Sequence, residues 1–152
     1  MIGDVELAEE TSVWFTAVLR GDVNFIRVGR GTNIQDGTIV HVNRGGTPSI
    51  IEEFVTVGHA ARLHGCHIKS HCLIGIGAIV LDGAVLEEEC LVAAGAVVSP
   101  GTLVPRGSVL MGAPARVKRQ VTPADLDLIH RSADRYIALR GEYLTAQGPS
   151  RP

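Results

Sequence analysis

The sequence predicts an all-β solenoid, a parallel β-helix with one α-helix appended after it. Two observations carry this expectation. Aliphatic residues recur every six positions without exception, from Ile68 through Ile74, Val80, Leu86, Val92, Val98 and Val104 to Leu110. A second column, Leu73, Ile79, Val85, Leu91, Val97, Leu103 and Val109, keeps the same step. Six is a multiple of the strand period of two and not of 3.6, so each hexad reads as a short strand plus a turn with its aliphatic always on one side. The second observation is compositional: eighteen glycines against 4% aromatic residues describe a core of many small aliphatic layers.

Taken in order, residues 1–121 form the coil. It opens on Ile2-Gly3-Asp4-Val5, already in hexapeptide style, which leaves the first turn of the solenoid bare. The register continues as Val28, Ile34 and Val40, then as Ile51, Val57 and Leu63. Three hexads close one triangular coil, with strands of successive coils about 4.8 Å apart. Gly75, Gly77, Gly83, Gly95, Gly101 and Gly107 are expected in turn conformations closed to other residues. Residues 122–146 form an amphipathic helix. It is announced by Thr122-Pro123-Ala124-Asp125, an N-cap hydroxyl, a first-turn proline and an acidic N3 residue. Leu126, Ile129, Ala133, Tyr136 or Ile137, Arg140, Tyr143 and Leu144 follow at helical spacing, and this helix is expected to cover the C-terminal end of the coil. Residues 147–152 are expected to be a disordered tail.

Composition excludes several partners. A net charge of −2, from 14 basic and 16 acidic residues, gives no footprint for nucleic acid or an anionic membrane. Neither a leader nor a spanning segment is recognisable, and the cysteines Cys66, Cys72 and Cys90 fit no disulfide or Cys-x-x-Cys pattern. They read as small core residues in a reducing, cytoplasmic protein.

Five ordered motifs then carry a resemblance: Trp14 to Asp22 (WFTAVLRGD), Asn33 to Asp36 (NIQD), His41, the GHxxxLHGC run from Gly58 to Cys66, and Met111 to Pro114 (MGAP). Together they resemble the γ-class carbonic anhydrases and their carbonic-anhydrase-like relatives, over nearly the whole chain. The resemblance implies a left-handed β-helix, a homotrimer, and three metal sites at subunit interfaces. It also implies that Gln35 and Asn33 hydrogen-bond the bound reactant and that Tyr136 stands over the metal, helix core being the alternative for the tyrosine. Arg20, Asp22 and Asp36 resemble the ion-pair set that aligns the subunits. Relatives usually begin about one coil earlier, so the chain is expected to lack that first coil.

Spacing adds its own argument about the histidines. His41 follows the inward Val40 and His64 follows the inward Leu63, 23 residues later. That is one coil plus five residues, which the loop NRGGTPS absorbs, so the two imidazoles are expected to stack on neighbouring coils. His59 lies five residues before His64, about 16 Å along an extended strand, too far to share an ion within one chain. The expected site therefore takes His41 and His64 from one chain and His59 from the next. Three neutral imidazoles with an open fourth position suit catalytic Zn2+, and Fe2+ or Co2+ fits the same ligands.

The function expected from these readings is reversible hydration of carbon dioxide to bicarbonate. The loop Val42 to Ser49 carries no carboxylate where the best-studied relatives have a proton-shuttling glutamate, which predicts slow turnover. On pKa grounds His67 and His71 are candidate substitutes. The alternatives are a metal-binding trimeric scaffold without this activity, or a hydrolase or acyltransferase of the hexapeptide-repeat group.

Overall fold

The computed structural model describes residues 1–146; the tail expected at 147–152 lies outside the described residues. The chain runs β1 (Ile2–Leu7), β2 (Ser12–Val13), β3 (Val18–Val28), β4 (Asn33–Ile34), β5 (Ile39–His41), β6 (Ser49–Ile51), β7 (Thr56–Val57), β8 (Arg62–His64) and β9 (His67–Ile68). It continues through β10 (Leu73–Ile74), β11 (Ile79–Val80), β12 (Val85–Leu86), β13 (Leu91–Val92), β14 (Val97–Val98) and β15 (Leu103–Val104). β16 (Ser108–Met111), β17 (Arg116–Gln120) and the helix α1 (Pro123–Ala146) complete it.

These strands wind a left-handed triangular prism. One face stacks the first half of β3 on β5, β8, β11 and β14; the second stacks the latter half of β3 on β6, β9, β12 and β15. The third runs β2, β4, β7, β10, β13, β16. All of these stacked pairings are parallel, as a solenoid requires. From β10 onward the coil length is constant: Leu73 pairs with Leu91 and Leu91 with Val109, eighteen residues apart each time.

The inward column from Ile68 to Leu110 is buried at every position, so the six-residue beat is the core. The second column is half-buried from Leu73 to Val97, with Leu103 exposed and Val109 buried. A third six-residue column, Cys72, Ala78, Ala84, Cys90 and Ala96, is buried beside the first. All three cysteines are free and buried, in keeping with their reading as core residues. Burial pushes the Cys66 thiol up to about 12.

Two expectations change. The corner glycines Gly77, Gly83, Gly95, Gly101 and Gly107 do have positive φ, but so do Ala60, His71 and Glu89 at equivalent corners. The corner conformation is therefore not closed to other residues. Gly75 is required for another reason: a Cβ there would lie 2.5 Å from the backbone nitrogen of Ala94 in the next coil. The helix also does not cover the end of the coil. It is capped as expected, with Thr122 N donating to Asp125 Oδ2 at 2.7 Å and Asp125 N donating to Thr122 Oγ1 at 3.2 Å. It then runs along the third face against β2, β4 and β7, burying Ile129 and Ala133. The exposed edge at the end of that face is covered by β17, which turns back antiparallel on β16.

Candidate metal centre

His41 and His64 are brought together by register. β5 and β8 pair Val40 with Leu63 and His41 with His64, so inward aliphatics in successive coils put both imidazoles outward on one face. The five extra residues of this coil leave the ladder as a loop after His41, as the spacing predicted. His41 Nδ1 lies 3.2 Å from His64 Nε2. Each ring's other nitrogen faces a carboxylate. His64 Nδ1 is 2.9 Å from Asp82 Oδ2, and His41 Nε2 is 3.4 Å from Asp22 Oδ1 without forming a hydrogen bond, which leaves it buried and unpartnered.

Counting protons shows what the pair lacks. Two neutral imidazoles carry two ring protons, and one belongs on His64 Nδ1 against Asp82. If the second is on His41 Nδ1, it reaches His64 Nε2 but leaves His41 Nε2 as a bare lone pair facing a carboxylate. If it is on His41 Nε2, two lone pairs confront each other across 3.2 Å. A cation relieves either conflict. Two nitrogens each about 2.0–2.1 Å from a tetrahedral ion stand about 3.3–3.4 Å apart, close to the observed separation. Arg20 Nη1 sits 2.7 Å from Asp22 Oδ2, and this hydrogen bond holds the Asp22 carboxyl below the usual carboxylate range, so the charge beside His41 is maintained.

His59 occupies the corner that opens the same face, whereas His64 lies at its far end. Gly58 before it is needed because a Cβ would come 2.8 Å from Ile74 O of the next coil. His59 Nδ1 is held by Asp36 Oδ2 at 3.0 Å. Among the described residues, no three His, Cys, Asp or Glu side chains of one chain are grouped to hold an ion. His59 is thus separate from the pair within the protomer. Each of the three histidines has an aspartate near one ring nitrogen, and the close contacts at His59 and His64 are of the kind that fixes tautomer and orientation in metal-binding imidazoles.

Asp36 stands against His59, whereas Arg20 and Asp22 lie beside His41. Gln35 Nε2 donates to Asn33 Oδ1 at 3.1 Å and Asn33 Nδ2 donates to Thr56 Oγ1 at 3.0 Å, all three being buried. Tyr136 of α1 packs edge-on to Trp14 with centroids 5.2 Å apart. Its burial, and then the charge of Asp36, raise its phenol above the ordinary value. It is therefore part of the helix packing and also close to the Asp36–His59 pair. Arg20 and Asp22 pair within one chain, and Asp36 pairs with His59. His67 is engaged by Glu52 at 2.7 Å, and His71 is stacked on Phe54 with centroids 5.3 Å apart.

Asp82 is the residue that sequence reasoning missed. It lies eighteen residues after His64 in a coil whose pairing advances seventeen, so it follows by one the residue opposite His64.

Fold and site together define a hexapeptide-repeat β-helix protein with a pair of stacked histidines on one face of the coil. No family model matches the chain. It is 46% identical over 144 residues to "Gamma carbonic anhydrase 2, mitochondrial" of Arabidopsis thaliana, covering 91% of this chain and 52% of that protein. The chain thus spans about half the length of this plant relative. It is also 46% identical over 139 residues to a "Probable carbonic anhydrase" of Methanocaldococcus jannaschii, covering 91% of this chain and 87% of the relative. Among solved structures, a putative acetyltransferase of Bacillus cereus matches with a TM-score of 0.93 and 41% identity, over 95% of this chain and 84% of that one. The chain belongs to the γ-class carbonic anhydrase and carbonic-anhydrase-like family.

Proposed function

We propose that the protein is a trimeric, Zn2+-dependent carbonic anhydrase in which His41 and His64 of one chain and His59 of the next hold each ion, with Fe2+ or Co2+ as substitutes. The observation that carries this reading is the 3.2 Å approach of two imidazole nitrogens whose opposite nitrogens both face aspartates. When bound, the ion supplies the Lewis acidity that makes hydroxide available near neutral pH for attack on carbon dioxide. The chain's own residues do the rest. Asp22, Asp36 and Asp82 orient the imidazoles. Gln35 and Asn33 offer a pre-bonded amide pair beside His59, suited to orienting a small oxyanion such as bicarbonate. Tyr136, with its phenol pKa raised, keeps its proton and serves as a hydrogen-bond donor. Arg20, with Asp22 and Asp36, aligns the subunits in this reading.

The chain carries no carboxylate in the loop after His41, and His67 and His71 are engaged elsewhere, so proton export is expected to limit the rate. That same feature favours, as second reading, a metal-stabilised trimeric scaffold. The transferase name of a structural neighbour keeps acyl transfer as a third, although no feature of this site favours it. No helix among the described residues is long and apolar enough to cross a membrane, and three buried thiols suit a reducing, cytoplasmic setting. Metal analysis with light scattering and stopped-flow hydration of carbon dioxide tests the proposal. One zinc per chain, a trimeric mass and a hydration rate abolished by His64→Ala are expected; zinc without hydration at any pH selects the scaffold.

A further inference from the structure

The coil that contains His64 is one residue short. Thr56 pairs with Leu73, Arg62 with Ile79 and Ile50 with His67, seventeen residues apart, where later coils advance by eighteen. The missing residue falls in the corner at Gly65 and Cys66, between Leu63 and Ile68, where the aliphatic beat also shortens from six to five. The next coil keeps its full corner, Leu81-Asp82-Gly83-Ala84, directly against the shortened one. Gly83 N donates to Gly65 O at 2.7 Å, fixing the two corners against each other.

Asp82 consequently stands beside the corner that follows His64, and several groups converge on it. One carboxylate oxygen takes His64 Nδ1 at 2.9 Å; the other is approached by Asn43 Nδ2 of the loop at 3.4 Å. Thr47 of the same loop donates its hydroxyl to Gly65 O, and Gly83 N is 3.2 Å from Thr47 Oγ1. The fit is tight: a Cβ on Gly65 would lie 2.9 Å from Asp82 Oδ1 and 3.0 Å from Thr47 O, and Gly65 adopts φ +51. The loop that lacks a carboxylate of its own is therefore clasped to one supplied by the following coil.

We propose that Asp82 is a positioning residue which locks His64 in the Nδ1–H tautomer, so that Nε2 presents a lone pair towards His41, and which anchors the 43–47 loop beside the site. The inference rests on the proposed metal centre but concerns a group outside the ligand set. An ionised carboxylate only accepts hydrogen bonds, so it stabilises one tautomer; an asparagine amide can also donate, and so permits the other. The Asp22 contact, 3.4 Å and poorly aligned, does not impose the same constraint on His41.

The test uses the 152-residue protein carrying Asp82→Asn or Asp82→Ala. Chelator competition measures zinc affinity, and 15N NMR of the metal-free protein reports the His64 tautomer. The expected result is zinc affinity lower by about 10–100-fold, the range for losing such a partner. The His64 Nδ1–H signal should give way to a mixture while trimer mass and unfolding midpoint hold. Unchanged affinity and tautomer, or a loss of affinity with the tautomer retained, overturns the proposal. Should Asp82→Ala fail to fold, the isosteric asparagine variant decides. If the parent protein binds no zinc, the metal centre itself fails, and the tautomer measurement still judges Asp82 separately.

Discussion

The coils after Ile68 and the coils between His41 and His67 are built from the same hexads, yet only the first group keeps the period. Downstream, every coil takes eighteen residues and presents the same three columns: inward aliphatic, outward aliphatic, small buried residue. Upstream, five residues are inserted between His41 and His64 and one is removed after His64. A solenoid gains its stability from nearest-neighbour stacking, so a strict repeat is the cheapest solution everywhere it is allowed. These departures coincide with the His41–His64 pair, its loop and its aspartate, and a further three-residue excess in β3 follows Arg20, the residue paired with His41. In this fold, irregularity marks the chemistry and regularity marks the support.

That contrast is open to attack from both sides. The largest effect is expected from inserting one residue after Gly65, which restores the period and moves Asp82 and His67 out of register with His64. Zinc per trimer should fall to near zero while the far-UV spectrum stays that of a β-helix; retained zinc would show that the short corner is incidental. On the regular side, Leu86→Ala is expected to cost about 2–5 kcal/mol of stability, as buried leucine truncations do, while the metal content of the folded fraction holds. Equilibrium denaturation with parallel metal analysis separates the two results.

Two glycines sharpen the point on a smaller scale. Gly75→Ala forces a Cβ to 2.5 Å from the Ala94 nitrogen, and a loss of about 1–3 kcal/mol is expected because backbone of the next coil must move. Gly77→Ala meets nothing within 4 Å and is charged only for its positive φ, about 1 kcal/mol. Unfolding midpoints of the two variants should rank in that order.

The smallest effect lies at the helix cap. Hydrogen bonds from Arg119 and then Thr122 hold the Asp125 carboxyl far below its ordinary value. A carboxylate with a depressed folded pKa adds stability that is fully present above the unfolded value of about 3.9 and is lost as pH falls towards the folded one. Asp125→Asn should therefore lower the midpoint slightly at pH 7, with the difference from the parent narrowing below about pH 4.

Much of this was legible in the sequence, for identifiable reasons. A period of six leaves no helical interpretation, so the coil, its inward column and the stacking of His41 on His64 follow from counting. The helix start at Thr122 follows from capping chemistry. Its docking against β2, β4 and β7 does not, because the same apolar stripe fits the end of the coil or its side. Asp82 was equally hidden: an aspartate in a corner looks like turn chemistry until the next coil is laid beside it. The positive φ of His71 and Glu89 could not be read from residue type either, since glycine is the usual but not the sole occupant of that corner.

The central claim, that each ion is shared between chains, is tested most directly by mixing. Purified His41→Ala and His59→Ala proteins are denatured together, refolded as mixed trimers and assayed for bound zinc. In a cyclic trimer every mixed assembly contains one junction where intact His41 and His64 meet an intact His59. Equal mixing should therefore restore about a quarter of the parent's zinc. If the mixture binds no more zinc than either variant alone, the three histidines do not meet across a subunit boundary and the account is wrong.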